Sequence, residues 1–422
     1  MVKRPHPGDW LDRFLVAEPP RGEAALHLAR ALVDALGSPQ RCAPAVHIVG
    51  TAGKGTVASR LTSRLVAGGF RVATHVSPHV YDVRERFQLD GELPSWEFVE
   101  AAAEEVEEAV RRVARSHGGA PTYFAVTAAM SWVLGRRHGV DVIVTEAGIG
   151  GRRDATAVLD RPDTLTVVTH IGLDHVDVLG STVDAIATEK AAVLAGRRAA
   201  VLGPQTDPAA VAAVRRAATT AGVTLHEVPG PHPDWRAAAE ATVDVVASVL
   251  GTELGRPVPE AEPITMPGRY EIRSSAARRI VLDGAHNPDK LAALARVLAR
   301  DERPACVIAG LGAGKDLPGS AAVLARLGGP VITIGVDAVG VDAGSAGRAG
   351  RDPAELAAAV VAAGGEAEAA ATAVEAVHRA LARTQPGDTV VVTGSFLILG
   401  RVVAALSSVA EGSARGRRPT TG

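Results

Sequence analysis

The segment Gly50-Thr51-Ala52-Gly53-Lys54-Gly55-Thr56 follows the apolar stretch Val46-His47-Ile48-Val49 and precedes a helix-like run over 57–67. A glycine-rich turn between a buried strand and a helix lets successive backbone N–H groups face a phosphate at the helix N-terminus. Lys54 adds a point charge and Thr56 a hydroxyl for Mg²⁺, so the segment is expected to bind ATP. The strict phosphate-loop order places Ser or Thr directly after the lysine; here Gly55 intervenes. The lysine is telling because the chain is arginine-rich. Among 45 Lys and Arg residues, lysine stands only at Lys3, Lys54, Lys190, Lys290 and Lys315. Arginine cannot serve where a compact ammonium, or an amine able to lose its proton, is required.

Further polar groups close other apolar runs. Glu146 ends Val142-Ile143-Val144-Thr145 and is followed by the flexible Ala147-Gly148-Ile149-Gly150-Gly151. A carboxylate at the carboxyl end of a parallel strand, next to a phosphate loop, is placed to hold Mg²⁺. Asp174 and His175 follow the next strand and offer either two more metal ligands or the cap of a turn. Lys190 lies on an apolar-rich helix that begins near Val183. A bare cation on the inner face of such a helix is costly, so Lys190 is expected to be paired or modified.

These groups need a scaffold, and the alternation of apolar strands with amphipathic helices predicts an α/β protein with mostly parallel sheets. Helices are expected over 23–36, 95–117 and 122–138, and strands over 46–49, 140–145, 165–169 and 199–202. In the 95–117 helix, Glu97, Glu100, Glu104, Glu105, Glu107 and Glu108 read as a solvated face. The proline-rich stretch 255–268 reads as a linker. It separates residues 1–265 from a second, smaller α/β unit over 266–409, and the small, polar residues 410–422 are expected to be a disordered tail. A formal net charge of -2 gives no basic field to hold nucleic acid or an anionic membrane. Cys42 and Cys306 match no zinc or redox spacing, and no run of 18 apolar residues occurs, so a cytoplasmic protein is expected.

Taken in order, the motifs resemble the dihydrofolate synthase/folylpolyglutamate synthase family, a branch of the Mur ligase superfamily. They run from Leu36-Gly37-Ser38-Pro39-Gln40 through the 50–56 loop, Ser77-Pro78-His79, Glu85-Arg86, Thr122-Tyr123-Phe124 and Glu146 with Gly150-Gly151-Arg152-Arg153-Asp154-Ala155-Thr156. They continue with Asp174-His175, Glu189-Lys190, Pro267-Gly268-Arg269, Asp283-Gly284-Ala285-His286-Asn287-Pro288, Lys315-Asp316 and Thr393-Gly394-Ser395. The resemblance implies a central ATP-binding domain followed by a Rossmann-like domain, and an ATP-dependent ligation of an acid to an amino acid. It implies that Lys190 is carbamylated by CO₂ and binds Mg²⁺ with Glu146, His175, Ser77 and Thr56. Lys54 would bind the β- and γ-phosphates, and Arg269, Asp283, His286 and Asn287 would close over ATP from the second domain about a hinge at 263–269. Asp154, Ala155, Thr156, His286 and Ser395 are the implied substrate contacts, with K⁺ as a further candidate cofactor and a monomer as the expected state.

Three residues depart from the family's usual pattern: Ala52, Ala157 and His170 stand where asparagine is common. Ala157 lies beside the segment expected to meet a pterin-bearing acid. The resemblance therefore implies glutamate addition to dihydropteroate or folates, with another carboxylic acid of a specialised biosynthetic pathway as the alternative. A nucleotide-gated switch fits the 50–56 loop but leaves Lys190 and residues 283–288 unexplained.

Overall fold

Short runs rich in valine, isoleucine and alanine form the centres of two sheets, and the amphipathic runs between them form the covering helices. The structure, a computed structural model, describes Leu11, residues 20–336 and residues 350–415. It divides into two units between Ile264 and Thr265.

The first unit contains a seven-stranded sheet built from β1 (Ala45–Val49), β2 (Val72–His75), β3 (Phe87–Leu89), β4 (Val142–Glu146), β5 (Leu165–Val168), β6 (Ala199–Leu202) and β7 (Thr224–Glu227). Its order is β3-β2-β4-β1-β5-β6-β7, and every pairing is parallel except β2 with β3. β1 is central and wholly buried, as a parallel strand covered on both faces must be. In register, Ile48 lies opposite both Glu146 of β4 and Val167 of β5. The chain leaves β1 towards β2 on one side and later returns to β5 on the other, so β1 stands at the switch point of the sheet. Ligands bind at the carboxyl ends of strands at such a point.

Helices Gly22–Ala35, Trp96–His117 and Tyr123–His138 share one apolar core that includes Leu32, Val106, Val126 and Trp132. Tyr123–His138 is buried on most of its circumference, and Thr122 caps it by accepting from the Ala125 N–H at 3.1 Å. Of the six glutamates on Trp96–His117, four are exposed; Glu105 and Glu107 are half-buried, Glu105 pairing with Arg136 and Arg137. Helix Lys54–Ala67, which carries the phosphate loop at its start, packs on Trp235–Glu253 and is tied to it by an Arg64–Asp244 ion pair.

The second unit holds a six-stranded sheet of β8 (Glu271–Ser275), β9 (Arg278–Leu282), β10 (Cys306–Ala309), β11 (Val331–Thr333), β12 (Ala367–Ala369) and β13 (Thr389–Thr393). The order is β12-β11-β10-β13-β9-β8, parallel apart from the β8–β9 hairpin. The last helix is Phe396–Arg415, so residues 410–415 are helical where a disordered tail was expected. Alanine, glutamate and arginine are good helix formers, and they continue the register of a helix whose earlier turns bury Ile398, Leu399 and Val402. Residues 416–422 lie outside the described residues. Among the described residues, no helix is long and apolar enough to cross a membrane.

Leu61 is wholly buried on helix Lys54–Ala67. Replacing it with alanine is expected to cost about 2–5 kcal/mol, seen as an earlier first transition in thermal unfolding together with weaker nucleotide binding.

Candidate active site

The carboxyl ends of β4, β1 and β5 lie side by side, and each releases one piece of the site. After β1 the chain turns at Gly50, with φ of +151°, and Gly53, with φ of +84°, before helix Lys54–Ala67 begins. A Cβ on Gly50 would sit 1.9 Å from the Thr169 hydroxyl, so no side chain fits there. A Cβ on Gly53 would meet nothing within 4 Å: the crest of the loop faces open space.

The loop amides are not all available. The N–H groups of Thr51 and Ala52 donate to the His170 carbonyl at 2.8 and 3.2 Å, and the Thr51 hydroxyl donates to the Gly172 carbonyl. The donors left for an anion are therefore those of Gly53 to Thr56, the cap and first turn of the helix, which have no intrahelical partner. Of the segment expected to bind the nucleotide, Gly50 to Thr56, the amides of Thr51 and Ala52 are thus engaged within the protein. Thr169, at the end of β5, strengthens the arrangement by donating to the Ala52 carbonyl at 2.8 Å.

The two lysines converge. Lys54 Nζ donates to the Gly50 carbonyl at 3.1 Å, and Lys190 Nζ reaches the same oxygen at 2.9 Å. Lys190 is only 4% exposed. Lys54 also lies 3.8 Å from the carboxylate of Glu146, which is itself buried at the end of β4 and accepts from the Ser77 N–H at 3.1 Å. Lys54, Glu146, Ser77 and Lys190 are thus gathered around the loop, with Thr56 half-buried in the first helical turn.

His175 is placed differently. Its residue is exposed, has φ of +52° and precedes the short helix Val176–Leu179; its Nε2 lies 3.9 Å from the buried carboxylate of Asp174. Among the described residues, no three His, Cys, Asp or Glu side chains form a group able to hold a metal.

Asp154 is buried and clamps the turn that follows Glu146. Its carboxylate accepts from the N–H and hydroxyl of Thr156 and from the Ile149 N–H. Burial pushes the Asp154 carboxyl above its ordinary range, against those three hydrogen bonds and the nearby Lys190 charge. Ala155 and Thr156 lie buried in the short 3₁₀ turn that Asp154 caps. The turn is fastened to the Lys190 helix through Arg152, whose N–H donates to the Glu189 carbonyl at 3.1 Å. Gly151 allows that approach: a Cβ there would lie 2.6 Å from the Lys190 carbonyl.

In the second unit the remaining candidates cluster at the carboxyl ends of β9 and β13. Asp283 accepts from the N–H groups of Ala285 and Tyr270 at 2.9 Å each. His286 bonds through Nδ1 to the Gly284 carbonyl at 2.8 Å, while Lys290 Nζ lies 3.1 Å from its Nε2. Asn287 caps helix Pro288–Asp301. The Arg269 guanidinium lies 5.1 Å from the centre of the Phe396 ring, and Ser395, just before that ring, accepts from the Leu397 N–H.

Sequence reasoning passed over Gln205. Its amide accepts from the Ile171 N–H and donates to the carbonyls of Thr169 and Gly203, which holds the segment that receives the loop amides. A glutamine in a loop after β6 carries no pattern that marks it. Thr169 had one signal: a hydroxyl directly after a mostly apolar strand.

Two outcomes follow from this geometry. Gly50→Ala is expected to abolish nucleotide binding with the fold retained, as checked by titration with ADP and by circular dichroism. Burial pushes the Asp283 carboxyl up to about 6. The folded state then holds a proton that the unfolded state has released, so stability falls as pH rises from about 4 to about 6. Denaturant unfolding across that range should show this slope, and Asp283→Asn should flatten it.

Comparison with known proteins agrees with the geometry. Residues 268–396 match the Mur ligase, glutamate ligase domain. A probable bifunctional folylpolyglutamate synthase/dihydropteroate synthase of Halobacterium salinarum is 35% identical over 303 residues, covering 64% of this chain; the chain spans 36% of that relative's length. The dihydrofolate synthase/folylpolyglutamate synthase of Mycobacterium tuberculosis is 31% identical over 331 residues, 67% of each protein. The bifunctional folylpolyglutamate synthase/dihydrofolate synthase of Yersinia pestis, solved in complex with AMPPNP and Mn ion, matches with a TM-score of 0.78 at 26% identity, covering 95% of this chain and 98% of that one. With this likeness added to the loop, the paired lysines and the β9 and β13 cluster, the chain belongs to the dihydrofolate synthase/folylpolyglutamate synthase family of the Mur ligases.

Proposed function

We propose that the chain is an ATP-dependent amide ligase that adds L-glutamate to dihydropteroate, to folates, or to both, through an acyl phosphate. The observation that carries this reading is the convergence of Lys54 and Lys190 on the Gly50 carbonyl beside Glu146. A carboxylate is a poor acylating agent because its oxygen is a poor leaving group. Attack of the acid's carboxylate on the γ-phosphate of ATP forms a C–O–P linkage and releases ADP. The glutamate amine then attacks the carbonyl carbon, loses a proton, and inorganic phosphate departs as the amide forms.

Each group has a part in that sequence. The N–H groups of Gly53 to Thr56 and the Lys54 ammonium bind the phosphates, and Lys54 offsets the charge that develops on the transferred group. In the first unit Asp154, Ala155 and Thr156 are the proposed contacts of the acid, and in the second unit Arg269, Asp283, His286, Asn287 and Ser395 are that unit's proposed ligand contacts. No enzyme nucleophile is needed.

Mg²⁺ fits the donor set. It keeps several waters and needs only one or two protein carboxylates beside the phosphates, so Glu146 and the Thr56 hydroxyl would be its core ligands. Ser77, His175 and Lys190 complete the proposed set, and the bound ion supplies charge neutralisation for the phosphates. A carbamylated Lys190 is compatible with its surroundings. The carbamate keeps one N–H for the Gly50 carbonyl and exchanges a buried cation for an anion. The reading extends to K⁺ as a further cofactor and to a cytoplasmic monomer acting on small molecules, and the net charge of -2 supports the exclusion of nucleic acid and membrane.

A second reading keeps the chemistry and changes the acid. Ala157 is half-buried against the main apolar core of the first unit, so it offers a substrate no polar side chain. Purified protein given ATP, Mg²⁺, L-glutamate and dihydropteroate or a folate is expected to yield ADP and the glutamylated product by mass spectrometry. Phosphate release only with another acid would select the second reading. Lys190→Arg keeps the charge but cannot be carbamylated, and is expected to lower kcat by about 100-fold or more while ADP affinity stays within a few-fold. Full activity in that variant would overturn the role given to Lys190.

A further inference from the structure

His47 lies on β1, three residues before the phosphate loop, and is completely buried in a strand where valine or isoleucine would pack as well. Its Nε2 lies 2.8 Å from the Thr156 hydroxyl, which donates in turn to Asp154. Two backbone N–H groups, those of Ile149 and Thr156, also donate to that carboxylate. With Asp154 ionised, the single hydroxyl hydrogen of Thr156 is spent on that carboxylate, and His47 is the donor through Nε2–H. Its Nδ1 is left as a buried acceptor with no partner.

Burial and the Arg197 charge push the His47 imidazole down to about 3, so it stays neutral across the working range. A neutral histidine in a strand core, with one nitrogen left unmatched, costs stability relative to an aliphatic residue. What it gains is one end of a buried hydrogen-bond chain, in which each bond polarises the next and the last falls on a carboxylate.

We propose that His47 is a positioning residue for the acid-binding turn: acting through Thr156, it fixes the Asp154 carboxylate and thereby sets residues 149–156 in register with the phosphate loop. This rests on the reading that Asp154, Ala155 and Thr156 meet the acid substrate. The strand that carries the loop for the phosphate donor is thus bonded directly to the turn that holds the phosphate acceptor. Neither piece can shift without straining the His47–Thr156–Asp154 chain.

The test uses the full-length protein with His47→Leu, His47→Gln, Thr156→Val and the double variant. Glutamine can place its Nε2 where the imidazole Nε2 lies, so it keeps the donor. In His47→Leu, hydrogen exchange at the Ile149 and Thr156 amides is expected to quicken about ten-fold, the loss of about one hydrogen bond, and the KM for dihydropteroate or folate to rise by a similar factor. The KM for ATP should stay within two-fold, His47→Gln should restore both readouts, and the double variant should be no worse than Thr156→Val. A uniform rise in exchange across β1 and the phosphate loop, a joint rise of both KM values, or failure of glutamine to rescue would reduce His47 to packing and overturn the proposal. If neither acid is turned over by the unaltered protein, the substrate reading fails, while amide exchange still decides the role of His47.

Discussion

One carbonyl oxygen gathers the first unit's chemistry. The Gly50 carbonyl accepts from Lys54 and from Lys190, which stand 136 residues apart in the chain. Two like charges a few ångströms apart repel by roughly 4 kcal/mol at an effective dielectric near 20. Glu146 answers one of them, and Asp154 lies within the field of the other. The two ammonium groups and the two carboxylates are thus held together at the carboxyl ends of the central strands. Two ammonium groups at a buried, glycine-lined turn suit the proposed binding of a polyphosphate.

The strand order explains why distant motifs meet. Because β4 was inserted between β1 and β2, and β5 pairs on the far side of β1, the segments after residues 49, 146 and 168 emerge as neighbours. Each is then locked by a different device. Thr169 and the His170 carbonyl hold the phosphate loop, Gln205 holds the His170 segment, and Asp154 with Glu189 holds the turn after Glu146. The second unit repeats the logic on a smaller scale, with Asp283 and Ser395 following the paired strands β9 and β13.

Much of this was legible in the residues. The phosphate loop, the carboxylate closing β4 and the lysine on an apolar helix are local signals, because each is a polar group forced to the end or inner face of an apolar run. Helices 95–117 and 122–138 were readable from their helical patterning, and the side chains of Ser95 and Thr122 cap them in the structure. What was not legible depends on partners far along the chain. Nothing in Thr51 or Ala52 says that their amides are taken by His170, 118 or more residues later. Gln205 carries no local pattern, and the edge strand β12 is only three residues long and half-buried, with too little apolar contrast to register. Residues 410–415 read as unstructured because small residues carry no apolar period of their own, whereas they continue the last helix.

The bonds from Thr51 and Ala52 to the His170 carbonyl have a thermodynamic meaning. They are made by the protein alone, so the loop already holds its bent shape before any nucleotide enters. Little chain entropy is then surrendered on association, and the affinity reflects charge and desolvation rather than the ordering of a floppy segment. Nucleotide exchange in such a centre is governed by the escape of the anion, not by refolding of its cradle.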